Sequence, residues 1–371
     1  MGNVIASRVG HADDERVRRA GASGGVMTAV LLHLLETGRI DGAVVARQDV
    51  PASPSAAAVI ATTRGEIMAA AQSVYVPVSI LERLPDLEPG KNYAMTALPE
   101  EAILLRQLQR DRYAPALQIK WLLGPYTGTA LKPGAIRCLL RASGVRDSDV
   151  IKSLKWRAGE WPGYLEIVMA SGKVVRSKKV YYNFLIPFFI TRGSLFSMDF
   201  TNEFCDLAVG DAWSPVFERL GGGHSVVLTR GVEMEKIILE MRAAGKLRLE
   251  DIELSRASEM HGHMLDFKKR GGYIRSRVLR RLGFAAPDYG VRPVPLPLSR
   301  WLVEAVVSSL FLCCGNRVAR KFLEFVPEAV IGPVFNRLRL AWKAFSKPTK
   351  RKGLANLRMI AESGLDAGKN P

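Results

Sequence analysis

Apolar residues along this chain recur with two periods, one helical and one of short continuous runs. The first helical stretch, Val26 to Leu35, is almost wholly apolar, with Ser23 placed to cap it and Gly38 to end it, which predicts a largely buried helix. A strand at Ala43 to Ala46 should follow. The same alternation then returns: a strand around Ala58 to Thr62 with a helix at Arg64 to Ala71, and a strand at Asn92 to Ala97 with a helix at Glu100 to Arg110. Trp121 to Pro125 reads as another strand and Ala135 to Ala142 as another helix. Leu165 to Met169 and Val174 to Lys178 alternate apolar and polar positions around Ser171-Gly172, the pattern of a hairpin. The aromatic segment Val180 to Ile190 is suited to packing. A short apolar strand ends in Gly210-Asp211, three glycines from Gly221 lead into a buried strand through Val227, and a helix from Val232 to Ala244 precedes a strand between Leu247 and Leu254. The expected class is α/β, with mixed sheets flanked by helices and a helical C-terminal extension.

The extension differs in kind. A basic helix, Lys268 to Leu282, gives way to a proline-rich linker from Pro287 to Pro297. Two apolar helical runs follow, Trp301 to Cys314, interrupted by Glu304, and Ala329 to Phe345. These changes divide the chain into residues 1–91, 92–286 and 287–371, and a proline-rich linker is where few contacts should cross. Neither run reaches the roughly 18 apolar residues of a membrane span. The cations Arg317, Arg320, Lys321, Arg337, Arg339, Lys343, Lys347, Lys350, Arg351 and Lys352 accompany them, so the tail suits peripheral attachment to an anionic membrane surface. A helical hairpin docked on the main domain is the alternative.

A net charge of +17 predicts attraction to polyanions: nucleic acid, anionic lipid or phosphorylated ligands. No zinc finger, ribonucleoprotein motif or basic recognition helix accompanies it, which argues against nucleic acid. The cysteines Cys138, Cys205, Cys313 and Cys314 lack metal-ligand spacing and read as reduced thiols. Without the order of a signal peptide at its start, the chain is expected in the cytoplasm.

Candidate chemistry gathers at two places. Ser23-Gly24-Gly25 opens the first helix, where backbone N–H groups without intervening side chains suit a phosphate, or where glycines simply allow close packing. Asn202, Asp206, Gly210 and Asp211 flank the carboxyl end of a strand, a favoured ligand position in α/β sheets, although such groups also bond their own loops. Lys155 and Arg157 suit a phosphate or an exposed edge strand. His224, after the glycine loop, is the candidate proton donor, against the commoner case of an uninvolved loop histidine.

The stretch from Arg192 to Trp213 carries a resemblance. Ser194 and Ser197, then Asp199-Phe200, then Cys205-Asp206-Leu207-Ala208-Val209-Gly210-Asp211 match a pattern of Cys-x-x-Cys-x-Asp-Phe followed by Ala-Asp-Ile-Ser-Val-Gly-Asp. Ala22 to Gly25, followed by Thr28-Ala29, matches an Ala-Ser-Gly-Gly and Thr-Ala pair. On these motifs, over roughly residues 16 to 285, the chain resembles the beta-subunit family of coenzyme F420 hydrogenase/dehydrogenase. The resemblance implies FAD held by Ser23, Gly24, Gly25, Thr28, Lys155, Asn202, Asp206, Gly210 and Asp211, with coenzyme F420 or NAD(P)H as donor, a small-molecule redox substrate and a partner subunit. It also implies four cysteine positions for an iron–sulfur cluster, which here are Glu100, Tyr126, Ser194 and Ser197. Oxygen side chains replace soft thiolates poorly, so the cluster is expected to be absent. A flavin-dependent oxidoreductase is the leading expectation, and a non-catalytic, membrane-associated scaffold or assembly subunit is the other.

Overall fold

The computed structural model describes residues 1–48, 56–178, 183–351 and 357–362, with no side chain described from 345 to 351. The small-residue loop at 51–55, the first residues of the Val180 segment, Lys352 and the side chains of Lys347, Lys350 and Arg351 therefore lie outside the described residues.

Thirteen strands form three sheets among the described residues. They are β1 (Ala6–Ala12), β2 (Gly42–Gln48), β3 (Ala56–Ala61), β4 (Tyr93–Thr96), β5 (Ile119–Pro125), β6 (Ile151–Ala158), β7 (Tyr164–Met169), β8 (Val174–Lys178), β9 (Leu207–Asp211), β10 (Ser225–Thr229), β11 (Leu247–Asp251), β12 (Val291–Val294) and β13 (Arg358–Ala361). The main sheet has eight strands in the order β11-β1-β10-β9-β5-β4-β2-β3. Its middle, β2, β4, β5 and β9, is parallel, and the flanking pairs are antiparallel. The parallel strands are covered on both faces, which is why they read as unbroken apolar runs. Helices Val26–Glu36 and Val232–Ala243 cover one face over Leu31, Leu34, Ile238 and Met241. Helix Pro99–Arg110 covers the other through Ala102 and Leu105.

β1 was not legible as a strand. It lies between β10 and β11, with Arg8 buried beneath a bidentate bond to Glu235, at 2.5 and 2.8 Å, and a bond to Asp251 at 2.8 Å.

β6, β7 and β8 form an antiparallel meander whose inner positions alternate as the pattern predicts. Its core holds Leu154, Trp156, Leu165 and Ile167 with helices Gly134–Ala142 and Leu185–Phe189. Cys314 and Leu323 of the extension are buried in the same core.

The extension is three helices, Leu298–Cys314, Arg317–Leu323 and Glu328–Arg351. Contacts cross the proline-rich segment that leads to it, and β12 within that segment pairs with β13. Beside the apolar packing of Cys314 and Leu323, part of the attachment is ionic. Asp266 and Glu304, each with a side chain 1% exposed, face Arg270, Arg275 and Arg300: Arg270 Nε to Asp266 at 2.5 Å, Arg300 Nε to Asp266 at 3.0 Å, Arg275 Nη1 to Glu304 at 2.5 Å and Arg300 Nη2 to Glu304 at 2.8 Å. Buried charges are tolerated only when paired in this way. The network passes against a π-helical turn, Phe267–Gly271. Gly271 is needed there, because a Cβ would sit 2.8 Å from both Arg275 Nη1 and Glu304 Oε2.

Candidate cofactor-binding site

A cavity of about 1010 Å³ opens between the carboxyl ends of the parallel strands and the C-terminal helices. That is at the upper end of the range, about 300–1,000 Å³, seen for small-molecule and cofactor sites.

One wall is the start of helix Val26–Glu36. Ser23, Gly25 and Thr28 line the cavity. Gly25, at φ 70°, turns the chain into the helix, and no side chain caps the helix's first N–H groups. A bare amino end presents donors and a positive dipole to whatever occupies the space. Gly24 lies behind this wall: its N–H donates to Ser225 Oγ at 3.0 Å, and a Cβ there would meet the Gly10 carbonyl oxygen at 2.5 Å. Its role is close packing against β1.

The second wall is the end of β9. Asp211 pairs with buried Arg157 at 3.0 Å, and both line the cavity. Lys155, two residues before Arg157 on β6, is exposed and does not line the cavity. Gly210 lines the cavity and makes room for Tyr126, whose ring a Cβ would meet at 2.2 Å. Tyr126 packs between Phe200 and His261, with ring centres at 5.2 and 5.1 Å. Its hydroxyl is buried without a hydrogen-bond partner, and burial raises its pKa far above the ordinary phenol. His261 donates from Nε2 to the Asp211 carbonyl at 2.7 Å, and burial brings its pKa down to about 4. At neutral pH the ring is therefore uncharged and Nδ1 is the acceptor.

Glu101 forms part of a third wall, with its carboxylate accepting from the N–H groups of Leu98 at 2.9 Å and Ile80 at 3.4 Å. Burial outweighs those bonds and lifts its pKa to about 7. A carboxyl that titrates at neutral pH beside a cavity can hold or release a proton there.

Asn202 and Asp206 serve the loop and strands instead of the cavity. Asn202, fully buried at φ 56°, donates from Nδ2 to the Ala97 carbonyl at 2.7 Å and occupies the space left by Gly124. Asp206 accepts from Leu122 N–H and from Arg106, both at 2.8 Å. His224 also stands outside the cavity lining. It packs on His11 and Phe217 at 5.3 and 5.2 Å, and burial, helped by Arg18 and His11, takes its pKa down to about 4. The preceding glycine loop is held by Arg18, which donates to the carbonyls of Gly222 and Gly223.

His261 and Glu101 were not anticipated. Nothing in Met260-His261-Gly262-His263 marks a ligand-facing ring, whereas Glu101, three residues after Leu98 at a helix start, occupies the position that bonds back to the capping residue.

The four positions that the resemblance gives to cluster cysteines do not fit an iron–sulfur cluster. Glu100 is exposed at the start of helix Pro99–Arg110. Ser194 Oγ accepts from Ala130 N–H at 2.8 Å and lies 2.9 Å from Thr191 Oγ1. Ser197 Oγ donates to the Asp199 carbonyl at 3.2 Å. Alongside them Lys268, fully buried, donates its ammonium to the Ser194 carbonyl at 2.9 Å. An exposed carboxylate, a phenol and two serine hydroxyls already bonded to the protein include no soft thiolate of the kind such a cluster uses. Burial lowers the Lys268 pKa to about 8, with Glu100 opposing the shift.

Comparison with known proteins bears on the same regions. Residues 8–85 match the family described as coenzyme F420 hydrogenase/dehydrogenase, beta subunit N-term, and residues 90–255 match its C terminus. The chain is 25% identical over 266 residues to the coenzyme F420-dependent sulfite reductase of Methanocaldococcus jannaschii, an alignment that covers 67% of this chain and 39% of that protein. Among solved structures, a chain of the F420-reducing [NiFe] hydrogenase complex from Methanosarcina barkeri superimposes with a TM-score of 0.59 at 17% identity, covering 78% of this chain and 97% of the other. That likeness is one of fold.

Proposed function

We infer, for a chain that belongs to the coenzyme F420 hydrogenase/dehydrogenase beta-subunit family, an FAD-dependent oxidoreductase that moves hydride between a deazaflavin or nicotinamide donor and a second molecule, with no iron–sulfur relay. The observation that carries this reading is the meeting, in one cavity, of an uncapped helix amino end with the Arg157–Asp211 pair. The residues present fit a flavin dinucleotide. Ser23, Gly25 and Thr28 would hold its pyrophosphate, and the apolar lining would exclude water around the ring. When bound, the flavin supplies two-electron chemistry that needs no cysteine. Tyr126 offers a buried hydroxyl donor, His261 an acceptor at Nδ1, and Glu101 a proton source near pH 7.

The rewritten cluster positions favour a second reading, a non-catalytic subunit. The relative in the F420-reducing hydrogenase is one chain of a complex, so a partner subunit suits either reading. Purified full-length protein separates them: flavin absorbance with FAD released on denaturation supports the oxidoreductase, and a colourless protein that takes up no added FAD overturns it. Ser23→Asp should remove the flavin while the chain stays folded, because it sets a carboxylate against the pyrophosphate. Unchanged flavin content in that variant would move the site elsewhere.

A further inference from the structure

The C-terminal helices that roof the cavity turn a second, apolar surface outward. Leu302, Val306 and Leu312 on the first helix, and Val318, Phe322 and Phe325 at and after the second, are between 63% and 79% exposed. On the third helix Val330, Val334 and Leu338 recur every four residues along one face and are also exposed. Soluble surfaces seldom gather so many large apolar side chains in one place. Exposed Arg317, Lys321 and Arg337 stand among them. That mixture differs from a protein–protein interface core, from which Lys is depleted, and matches helices lying in an anionic membrane surface. No single helix among the described residues is long and apolar enough to cross a membrane; Leu298–Cys314 and Arg317–Leu323 reach that length and apolarity only together, and they are bent by 71° where they meet. The cavity reaches the surface at the third helix: Leu338 and Leu340 both line it and are exposed, and Phe311 and Phe335 line it too.

We propose that this face docks on an anionic bilayer and that the cavity takes its second ligand, an apolar lipid-soluble redox molecule, directly from the membrane between the first and third of these helices. The docking rests on the surface alone, whereas the ligand class rests on the cofactor reading above.

Full-length protein should co-sediment with phosphatidylcholine vesicles containing phosphatidylglycerol, less so at high salt, and Leu302→Glu/Val306→Glu should lower the partition by about ten-fold or more. Neither residue lines the cavity, so flavin content should not change. A benzoquinone carrying a decyl chain should quench tryptophan emission, and Trp342→Phe, at the cavity wall, should lose most of that quenching. Vesicles ignored at low salt by a flavin-loaded protein would overturn the docking and leave the cofactor reading standing. Vesicle binding by a flavin-free protein would do the reverse. A stable oligomer that the double glutamate variant dissolves would assign the face to a second copy of the chain and overturn the membrane, and emission unaffected by the quinone would overturn the ligand class.

Discussion

The sheet side of the cavity and its helical roof are held in place by different forces. On the sheet side, Val26, Leu34, Leu123 and Leu207 are completely buried, and the ladder between β9 and β10 sets the positions of Gly210 and Asp211. Such a wall draws its stability from many small, non-directional contributions. The roof packs Cys314 and Leu323 into the meander core and leaves its outer face open, and it is tied to the rest of the chain by Asp266, Glu304 and three arginines, all buried. One wall should therefore tolerate single polar changes that the other does not.

Glu304→Ala gives the largest expected effect. It leaves Arg275 and Arg300 buried without one carboxylate and should cost about 3–5 kcal/mol, read by denaturant unfolding. Loss of less than about 1 kcal/mol would mean that the roof is held by something other than these ions.

Glu101 sharpens the contrast through pH. Its pKa is raised from 4.5 to about 7, so the folded state binds a proton that the unfolded state releases across that interval. Stability contributed by the protonated form is complete below about pH 4.5 and falls as pH rises toward 7, on the order of 3 kcal/mol in all. Glu101→Gln should remove that decline, so the difference in stability between variant and wild type should grow from pH 5 to pH 7.5. A difference that stays flat would place the carboxyl in water. His261 and His224, lowered to about 4, act with the opposite sign, since stability is lost as pH falls from 6.5 toward 4.

The same division governs what the sequence made legible. Apolar runs announced the parallel strands and the helix at Val26, because burial on both faces leaves a continuous signal, and alternation announced the hairpin of β7 and β8. β1 escaped because Arg8 and His11 look like surface residues, although Arg8 is buried against Glu235. Glu304 read as an interruption of an apolar helix, yet it is the group that fixes that helix. Of the site residues, Ser23, Gly25, Thr28, Gly210 and Asp211 meet at the cavity. Gly24, Lys155, Asn202, Asp206 and His224 do not line it. Motif spacing brings a residue to the right loop without saying which way it faces, and a short polar side chain near a strand end is as well used by the loop's own backbone as by a ligand.

Arg106 and Asp206 provide the smallest effect and the closest control for Glu304. This pair, 2.8 Å apart, has the same chemistry as the roof's ion pairs but lies on the sheet side with side chains 30% and 22% exposed. Water screens both charges, and Asp206 keeps its bond from the Leu122 N–H when the guanidinium is removed. Arg106→Ala should therefore cost about 1 kcal/mol or less, and the loss should shrink as salt is added. Unfolding curves for this variant and for Glu304→Ala, taken at low and high ionic strength, compare an exposed and a buried pair within one chain. If Arg106→Ala proved as costly as Glu304→Ala and as indifferent to salt, burial would not be what distinguishes the two walls, and the roof's dependence on its ions would lose its physical basis.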